Sequence, residues 1–322
     1  MSRIIKYNPT EGERYVDVPL TDASISYMQD EDKFVADKVF PLVQVKKQTG
    51  IIVKYNKGDF LRAEARKRGQ YTESAGTGYS IEMTDKYDCD ITAIHTHVDD
   101  RDRANSMSPL AADLDAVQFV TNKIRIGKEV DFANSYFKPG VWGTDAKATV
   151  KWTDPNSNPA SDIGLAYDAI LEASGEIPNT LLLSHSAFRV LCDHAAIYPR
   201  TPHTEAQAVT ESLLARLFNV DRVLVGRAVV NKAGKGVKAD TKFVFGKNAL
   251  LVYAPTAPSL KQLSGGYTVA WNEYEGIGAN GMLIYSYPMP QLGKGTVRIE
   301  GEMAVQHKLV CPDVGVFFTD II

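Results

Sequence analysis

The chain has 322 residues, a length that predicts two compact domains or one domain with long insertions. Hydrophobic residues make up 44% and charged residues 23%, which excludes an intrinsically disordered chain. With 36 Lys and Arg against 39 Asp and Glu, the net charge is −3, which excludes binding to nucleic acid through bulk positive charge. No apolar run reaches the roughly 18 residues that a membrane helix needs, and the first residues lack the apolar region of a signal peptide.

The first residues predict an extended arm rather than a folded domain. Residues 1 to 32 are polar, include Pro9 and Pro19, and show no sustained hydrophobic period. The following stretch, 34 to 45, alternates toward a strand in its second half, and Pro41 stands at the entry to that strand.

A long two-stranded excursion is predicted next, with strands at 50–55 and 79–83. Residues 46–70 contain eight basic and two acidic residues, a net charge of +6. Residues 82–103 contain seven acidic and three basic residues, a net charge of −4. An isolated hairpin is only marginally stable in water, so a neighbouring element or another molecule must support this one. The opposite charges favour pairing between copies of the chain.

The basic candidates for such an interface are Lys54, Lys57, Arg62, Arg66, Lys67 and Arg68. Their acidic counterparts are Asp88, Asp90, Asp99 and Asp100. Binding to single-stranded nucleic acid is a weaker interpretation of the basic stretch, because Phe60 and Tyr71 are the only aromatic residues near it that could stack on bases. A solvated charged face is the common alternative.

A long amphipathic helix is predicted from Pro109, with Ser108 as its N-cap. The apolar stripe of this helix consists of Leu110, Leu114, Val117, Val120 and Ile124. The pattern runs to about residue 137, where Pro139 and Gly140 end it, so the helix spans roughly 40 Å.

The second half of the chain predicts an α+β architecture. A turn-rich segment at 142–159 marks the best internal boundary. The predicted helices beyond it are 161–174, 186–193 and 210–218. The predicted strands are 180–183, 223–225, 228–230, 243–245, 250–253, 267–271, 282–287, 296–300 and 314–318.

The clearest metal-like spacing is His95 and His97, which would share one face of a strand near Asp99 and Asp100. No third ligand follows at a familiar interval, so a polar surface strand is favoured. A Gly-x-Gly-x-x-Gly match begins at Gly276, but a strand rather than a helix follows it, which favours a glycine-rich turn over a dinucleotide site.

The Ser-His-Ser sequence at 184–186 lacks the surroundings of a nucleophile elbow, so a helix N-cap is favoured there. The sequence thus contains no persuasive catalytic constellation. It favours a structural or binding protein and implies no cofactor and no bound metal.

Several short sequence segments, taken in chain order, resemble segments of the major capsid proteins of tailed bacteriophages with the Hong Kong 97-type fold. These segments are residues 36–41, 57–60, 76–79, 178–181, 221–228 and 265–271. Their order and spacing extend over most of the chain, from about residue 34 to residue 271.

The resemblance implies an α+β capsid fold with five parts. These are an N-terminal arm (1–35), an extended β-hairpin loop with flanking strands (36–92), a peripheral domain with a long spine helix (93–145), an axial domain (146–255) and return strands of the peripheral domain (256–322). The extended loop would lie over a neighbouring subunit.

The resemblance also implies homo-hexamers and homo-pentamers that form an icosahedral shell around packaged double-stranded DNA. The shell would form in the bacterial host cytoplasm and become part of the virion, with a portal protein and possible scaffolding and decoration proteins as partners and no membrane. Some relatives cross-link a loop lysine to a neighbour; Lys54 and Lys57 are in place for this, although cross-linking is not favoured here. The alternatives are an encapsulin-type shell around cargo protein and a metal-dependent enzyme using His95 and His97.

Overall fold

The computed structural model describes residues 33–105, 109–148, 150–197, 209–234, 236–256, 262–273, 277–278 and 280–322. The predicted arm at 1–32 and the predicted N-cap Ser108 lie outside these residues. Within the described part of the chain, no helix is long and apolar enough to cross a lipid bilayer.

The described helices are α1 (Ala36–Val39), α2 (Lys57–Phe60), α3 (Asp100–Asn105), α4 (Pro109–Tyr136), α5 (Pro159–Ser174), α6 (His185–Cys192) and α7 (Glu211–Leu217). The first seven strands are β1 (Leu42–Val45), β2 (Thr49–Tyr55), β3 (Ile81–Asp88), β4 (Ile91–Val98), β5 (Thr144–Lys147), β6 (Thr180–Ser184) and β7 (Arg222–Gly226). The remaining strands are β8 (Val229–Asn231), β9 (Thr241–Phe243), β10 (Ala249–Val252), β11 (Gly266–Trp271), β12 (Met282–Pro288), β13 (Val297–Leu309) and β14 (Gly315–Thr319). Mixed helices and strands confirm the predicted α+β class.

The predicted spine helix is α4, whose 28 residues span about 42 Å. Val117, Val120 and Ile124 of the predicted stripe are buried against the first sheet, beside Ile299 and Met303. Periodicity predicts this helix well because one face of it is covered along most of its length.

The first sheet is organised by β13, which is long enough to change partners along its length. Its first half lies between β12 and β4, both antiparallel to it, and its second half pairs with β11. The predicted strand at 296–300 covers only the beginning of β13. The prediction ended early because Gly301 interrupts the pattern, yet Gly301 is required there: an added Cβ would lie 2.6 Å from a methyl group of Val120.

The second sheet has the order β5–β14–β10–β6–β7. The predicted domain boundary at residue 256 stays a prediction, whereas strand β14 pairs with β10 in the second sheet and therefore does not return to the first sheet. The reason is its composition, because Val316 and Phe318 pack into the core beneath α5 while Phe317 points to the other face. Strands β11, β12 and β13 do return to the sheet that carries the spine helix.

A second buried cluster joins the end of α4 to the far face of the second sheet. Phe132 of α4 and Phe137, which directly follows α4, contact Phe245, and Phe137 also contacts Phe317 edge-on at 5.1 Å. Phe40, just after α1, packs on Phe132 in the same way. The spine helix is therefore packed against both sheets.

A buried carboxylate on the spine helix holds the start of α1 in place. Glu129 accepts hydrogen bonds from the backbone N–H groups of Val35 (2.8 Å) and Ala36 (3.1 Å). Beside it, Lys128 and Asp37 form an ion pair at 2.6 Å. Helix α1 thus begins on an acceptor supplied from far along the chain.

Candidate assembly surface

The extended hairpin consists of β2 and β3, which pair antiparallel from Thr49 opposite Asp88 to Tyr55 opposite Ile81. Its base is built into the first sheet, because Ile52 and Tyr87 are buried with Val269 of β11. An added Cβ at Gly50 would lie 2.4 Å from the hydroxyl oxygen of Tyr87, so the Tyr87 ring occupies the space beside Gly50. The support that an isolated hairpin lacks therefore comes from the chain's own sheet.

Two of the predicted interface lysines make ion pairs within the chain. Lys54 pairs with Asp85 across the hairpin, and Lys57 pairs with Asp313 in the turn before β14. The hydrogen bond from Lys54 is the main reason that the pKa of the Asp85 carboxyl is lowered. Both lysines thus stabilise the hairpin on its own subunit.

The other four predicted basic residues lie in the connection between β2 and β3, and we call Arg62, Arg66, Lys67 and Arg68 the basic tip. All four are exposed. Arg62 pairs with Glu64 at 3.1 Å and Arg68 donates to the carbonyl oxygen of Thr72. Among the described residues, Arg66 and Lys67 make no ion pair.

The predicted acidic residues separate into two pairs. Asp99 accepts the N–H of Asp102 at 2.8 Å and Asp100 lies 3.5 Å from Arg103, so both are used locally at α3. Asp88 ends β3 and Asp90 lies in the short link to β4; both are exposed, and neither carboxylate has an ion pair within the described part of the chain. We call Asp88 and Asp90 the acidic base.

The hairpin also exposes an apolar surface that sequence reasoning missed. Ile51, Val53 and Tyr55 alternate with the inward-facing Ile52 and Lys54. With Ile81, Phe60 and Tyr79 they form what we call the apolar face. The sequence of 51–55 places apolar residues on both sides of the strand, so it does not tell which side meets the core.

Three rings of the apolar face touch one another, and we call them the aromatic triad. The ring centroids of Tyr55 and Phe60 are 5.5 Å apart, those of Tyr55 and Tyr79 are 5.8 Å apart, and those of Phe60 and Tyr79 are 5.9 Å apart. The residues are nevertheless 50%, 62% and 64% exposed. An exposed cluster of this kind is unusual on a protein that functions alone.

The chain keeps the connection between the strands in a defined shape through polar contacts. Asp59 accepts both the backbone N–H of Ser80 (2.9 Å) and its hydroxyl (2.7 Å), which lowers the pKa of the Asp59 carboxyl. Asn56 accepts the N–H of Gly58 and begins α2. These contacts close the hairpin just beyond the aromatic triad.

The predicted histidine pair lies on one face of β4, with ring centroids 5.1 Å apart. Arg298 of β13 is 2.6 Å from Nδ1 of His95 and 3.0 Å from the carboxylate of Glu300. Burial lowers the pKa of His97. A guanidinium group against His95 opposes a bound cation, and the described residues contain no group of three or more His, Cys, Asp or Glu side chains placed to hold a metal.

Two other sequence patterns have structural roles. Ser184 accepts the N–H of Ala187 at 3.2 Å and caps α6, as predicted. Gly281 has φ +73° and donates to the carbonyl oxygen of Gly278, forming a turn that leads into β12. Gly276 and Ala279 of that glycine pattern lie outside the described residues.

No protein-family model matches this chain. The major capsid protein of Burkholderia phage BcepMu is 28% identical over 254 residues, which cover 75% of this chain and 77% of that protein. The major capsid protein of Pseudomonas phage JBD67 is 25% identical over 318 residues, which cover 95% of this chain and 97% of that protein.

Solved structures share the fold over nearly the whole chain. A phage-related protein from Bordetella bronchiseptica RB50 has a TM-score of 0.72 at 22% identity, with 96% of this chain and 98% of that chain covered. The capsid of cyanophage P-SCSP1u has a TM-score of 0.51 at 8% identity, covering 99% and 92%. The SrpI encapsulin of Synechococcus elongatus has a TM-score of 0.53 at 11% identity, covering 98% and 92%.

These similarities confirm the predicted resemblance to tailed-phage major capsid proteins and the predicted Hong Kong 97-type fold. Fold alone does not separate a phage capsid from an encapsulin, because both kinds of shell are similar to this chain. The relatives found by sequence are both phage major capsid proteins, which favours the phage class.

Proposed function

We propose that this chain, which has the Hong Kong 97-type fold, is a capsid shell protein whose copies form hexamers and pentamers that close an icosahedral shell around packaged double-stranded DNA. The observation that carries the proposal is the separation of charge along the extended hairpin. The basic tip lies beyond the end of β2, whereas the acidic base lies where β3 leaves the hairpin. Strand β2 alone spans about 20 Å.

The two charged ends of one hairpin are too far apart to pair with each other. The basic tip of one copy and the acidic base of the next can pair, and such a contact joins two different surfaces. Contacts between unlike surfaces produce rings when the rotation between copies closes. Rings of five and six copies are the closed forms that we propose.

The near-neutral charge of the chain is compatible with enclosing DNA rather than binding its sequence. A net charge of −3 supplies no general attraction for phosphate. We propose that DNA enters through a portal protein, that separate scaffolding and decoration proteins assist where they are used, and that assembly occurs in the bacterial host cytoplasm before the shell becomes part of the virion. The role of the chain is structural rather than enzymatic.

Charge reversal tests the pairing of neighbouring hairpins. We expect Arg66→Glu with Lys67→Glu to prevent assembly, and Asp88→Lys with Asp90→Lys to prevent it as well. Mixing the two variants should restore contacts between unlike copies, and combining all four changes in one chain should restore shells. Electron microscopy of the purified protein, with circular dichroism as the control for folding, measures the outcome. Normal shells from either double variant would disprove the pairing.

The contents of the particles separate the two kinds of shell. Particles isolated from infected or induced bacteria should contain nuclease-protected double-stranded DNA. Particles that contain a single enriched protein and no DNA would favour the encapsulin alternative, which the fold allows.

A further inference from the structure

We propose that the small hairpin of β8 and β9 binds the phosphate backbone of the enclosed double-stranded DNA through its lysine side chains. The inference rests on the proposed shell function and names a contact between the shell and its contents. We call residues 229–247, which comprise β8, β9, their connection and the turn after β9, the lysine hairpin. It follows β7 at the edge of the second sheet, whereas the extended hairpin is built into the first sheet.

The positive charge of the chain is concentrated in two short segments. The lysine hairpin contains five Lys and one Asp, a net charge of +4, and residues 46–70 of the extended hairpin carry +6. The other 278 residues together carry −13, so the overall charge of −3 conceals both segments. The basic tip is matched by the acidic base in the proposed contact between copies. The charge of the lysine hairpin is left for another partner, and a polyanion is the kind of partner that it fits.

Three of these lysines have no acidic partner in the described part of their own subunit. Lys242 pairs at 3.0 Å with Asp240, the single carboxylate of the lysine hairpin. Lys232, Lys238 and Lys247 are exposed and make no ion pair among the described residues. Like charges on two strands of three residues each repel one another, and so short a hairpin is only marginally stable by itself. A bound polyanion removes that repulsion.

The lysine hairpin presents its side chains from a fixed base. The side-chain oxygen of Asn231 accepts two backbone N–H groups of the connection, each at 3.0 Å, and so closes it. At the foot of the hairpin, the ring of Phe243 packs on His185 of α6, with centroids 5.0 Å apart. Phe245 is buried and contacts Phe137 at the end of the spine helix. Little backbone freedom is therefore lost when the lysines meet an anion.

The side-chain chemistry fits phosphate rather than base edges. The hairpin has no arginine, and the amide of Asn231 already closes the connection, although arginine, asparagine and glutamine are the main readers of base sequence. Its two aromatic rings, Phe243 and Phe245, pack within the subunit instead of standing free to stack. Lysine carries a point charge on a flexible stem, and DNA offers one negative charge per about 1.7 Å of helix axis. The contact is therefore independent of base sequence.

Lysine acetylation of intact particles tests the contact where it occurs. Particles filled with DNA and shells assembled from the purified chain alone are treated with N-hydroxysuccinimidyl acetate, and the modified lysines are quantified by mass spectrometry. We expect Lys232, Lys238 and Lys247 to react severalfold more slowly in the filled particles. The control is Lys294, an exposed lysine whose neighbour Gly295 lies against Asp100, and its rate should be the same in both.

Each result of the acetylation experiment decides the inference. Fast reaction of the three lysines in both kinds of particle means that they face solvent, and slow reaction in both means that protein covers them. Either outcome would overturn the inference and leave the shell function intact. Particles from infected bacteria that contain no DNA would contradict the proposed function itself.

A second measurement removes the charges and does not depend on assembly. The triple variant is Lys232→Gln, Lys238→Gln and Lys247→Gln, with circular dichroism as the control for folding. Its matched control replaces three exposed lysines of other segments: Lys123→Gln, Lys151→Gln and Lys294→Gln. Binding of the unassembled chains to a short DNA duplex is measured between about 50 and about 200 mM salt. The basic tip is the same in all the proteins, so its contribution cancels.

The salt dependence gives the expected size of the effect. Each phosphate contact adds about 0.9 to the slope of log affinity against log salt concentration. Over that range the unchanged chain should therefore lose about 40-fold more affinity than the triple variant, whereas the control should behave like the unchanged chain. An equal salt dependence in the triple variant and its control would overturn the inference.

Discussion

Replacing Glu129 with glutamine should remove a large part of the pH dependence of stability. Glu129 is 2% exposed, and burial raises the pKa of its carboxyl from 4.5 to about 7, against the opposing effect of its hydrogen bonds to Val35 and Ala36. That difference corresponds to about 3 kcal/mol between the two protonation states. Below pH 4.5 the carboxyl group is protonated in both the folded and the unfolded chain, so its burial does not lower the free energy of unfolding.

The sign follows from the raised pKa. As pH rises from 4.5 to 7, the unfolded chain releases the proton while the folded chain keeps it, so the folded state loses stability. Glutamine carries no charge at any pH, but its NH₂ group faces one of the two N–H donors. This mismatch lowers the free energy of unfolding by roughly 1 kcal/mol at every pH. Glu129→Gln should therefore be slightly less stable than the unchanged chain at pH 4.5 and about 2 kcal/mol more stable at pH 8.

Urea unfolding of dilute protein between pH 4.5 and pH 8 measures this difference. His307 titrates in the same window, because burial lowers its pKa to about 4, and the stability it contributes is lost as pH falls. His307 is present in both proteins, so its effect cancels in the comparison. Glu172→Gln makes the same chemical change at an exposed position of α5 and should show no such trend. A constant difference between Glu129→Gln and the unchanged chain at every pH would refute the reasoning.

Three further outcomes follow from the structure. Neutralising all four residues of the basic tip to alanine should block shell formation while leaving a folded monomer; normal particles by electron microscopy would contradict the role of charge. Gly301→Ala should lower the free energy of unfolding by about 1–3 kcal/mol, because its Cβ would overlap Val120, whereas Gly164→Ala, which meets nothing within 4 Å, should be neutral or stabilising in thermal melts. Denaturing electrophoresis of mature particles should give a single monomer band, because Lys54 and Lys57 already pair with Asp85 and Asp313; a ladder of linked chains would contradict this.

Elements whose signals lie close together in the sequence were predicted accurately. The α5 helix was predicted to within two residues because a turn-rich segment precedes it and Gly175, with φ +76°, ends it. Asn158 and Pro159, which the prediction left in the turn-rich segment, cap and begin the helix. The spine helix was predicted from one apolar stripe. The resemblance to capsid proteins likewise depends on short sequence segments that occur in a fixed order along the chain.

Features that depend on distant partners were not predicted. Glu129 is an ordinary helix glutamate by sequence, and only the fold brings it to the N–H groups of residues more than ninety positions away. The sequence of strand β14 is equally compatible with pairing to β13 or to β10, because no local sequence feature specifies which strand is the partner.

The fold class, the spine helix, the charged hairpin and the capsid resemblance follow from the amino-acid sequence, because hydrophobic period, turn residues and charge are local properties of the chain. Which hairpin residues have partners within the subunit and which remain exposed depends on how the strands pack in the folded protein. Lys54 and Lys57 form ion pairs within the subunit, whereas Tyr55, Phe60 and Tyr79 are exposed to solvent. The physical reason is that an alternating strand has two equivalent faces until a sheet covers one of them.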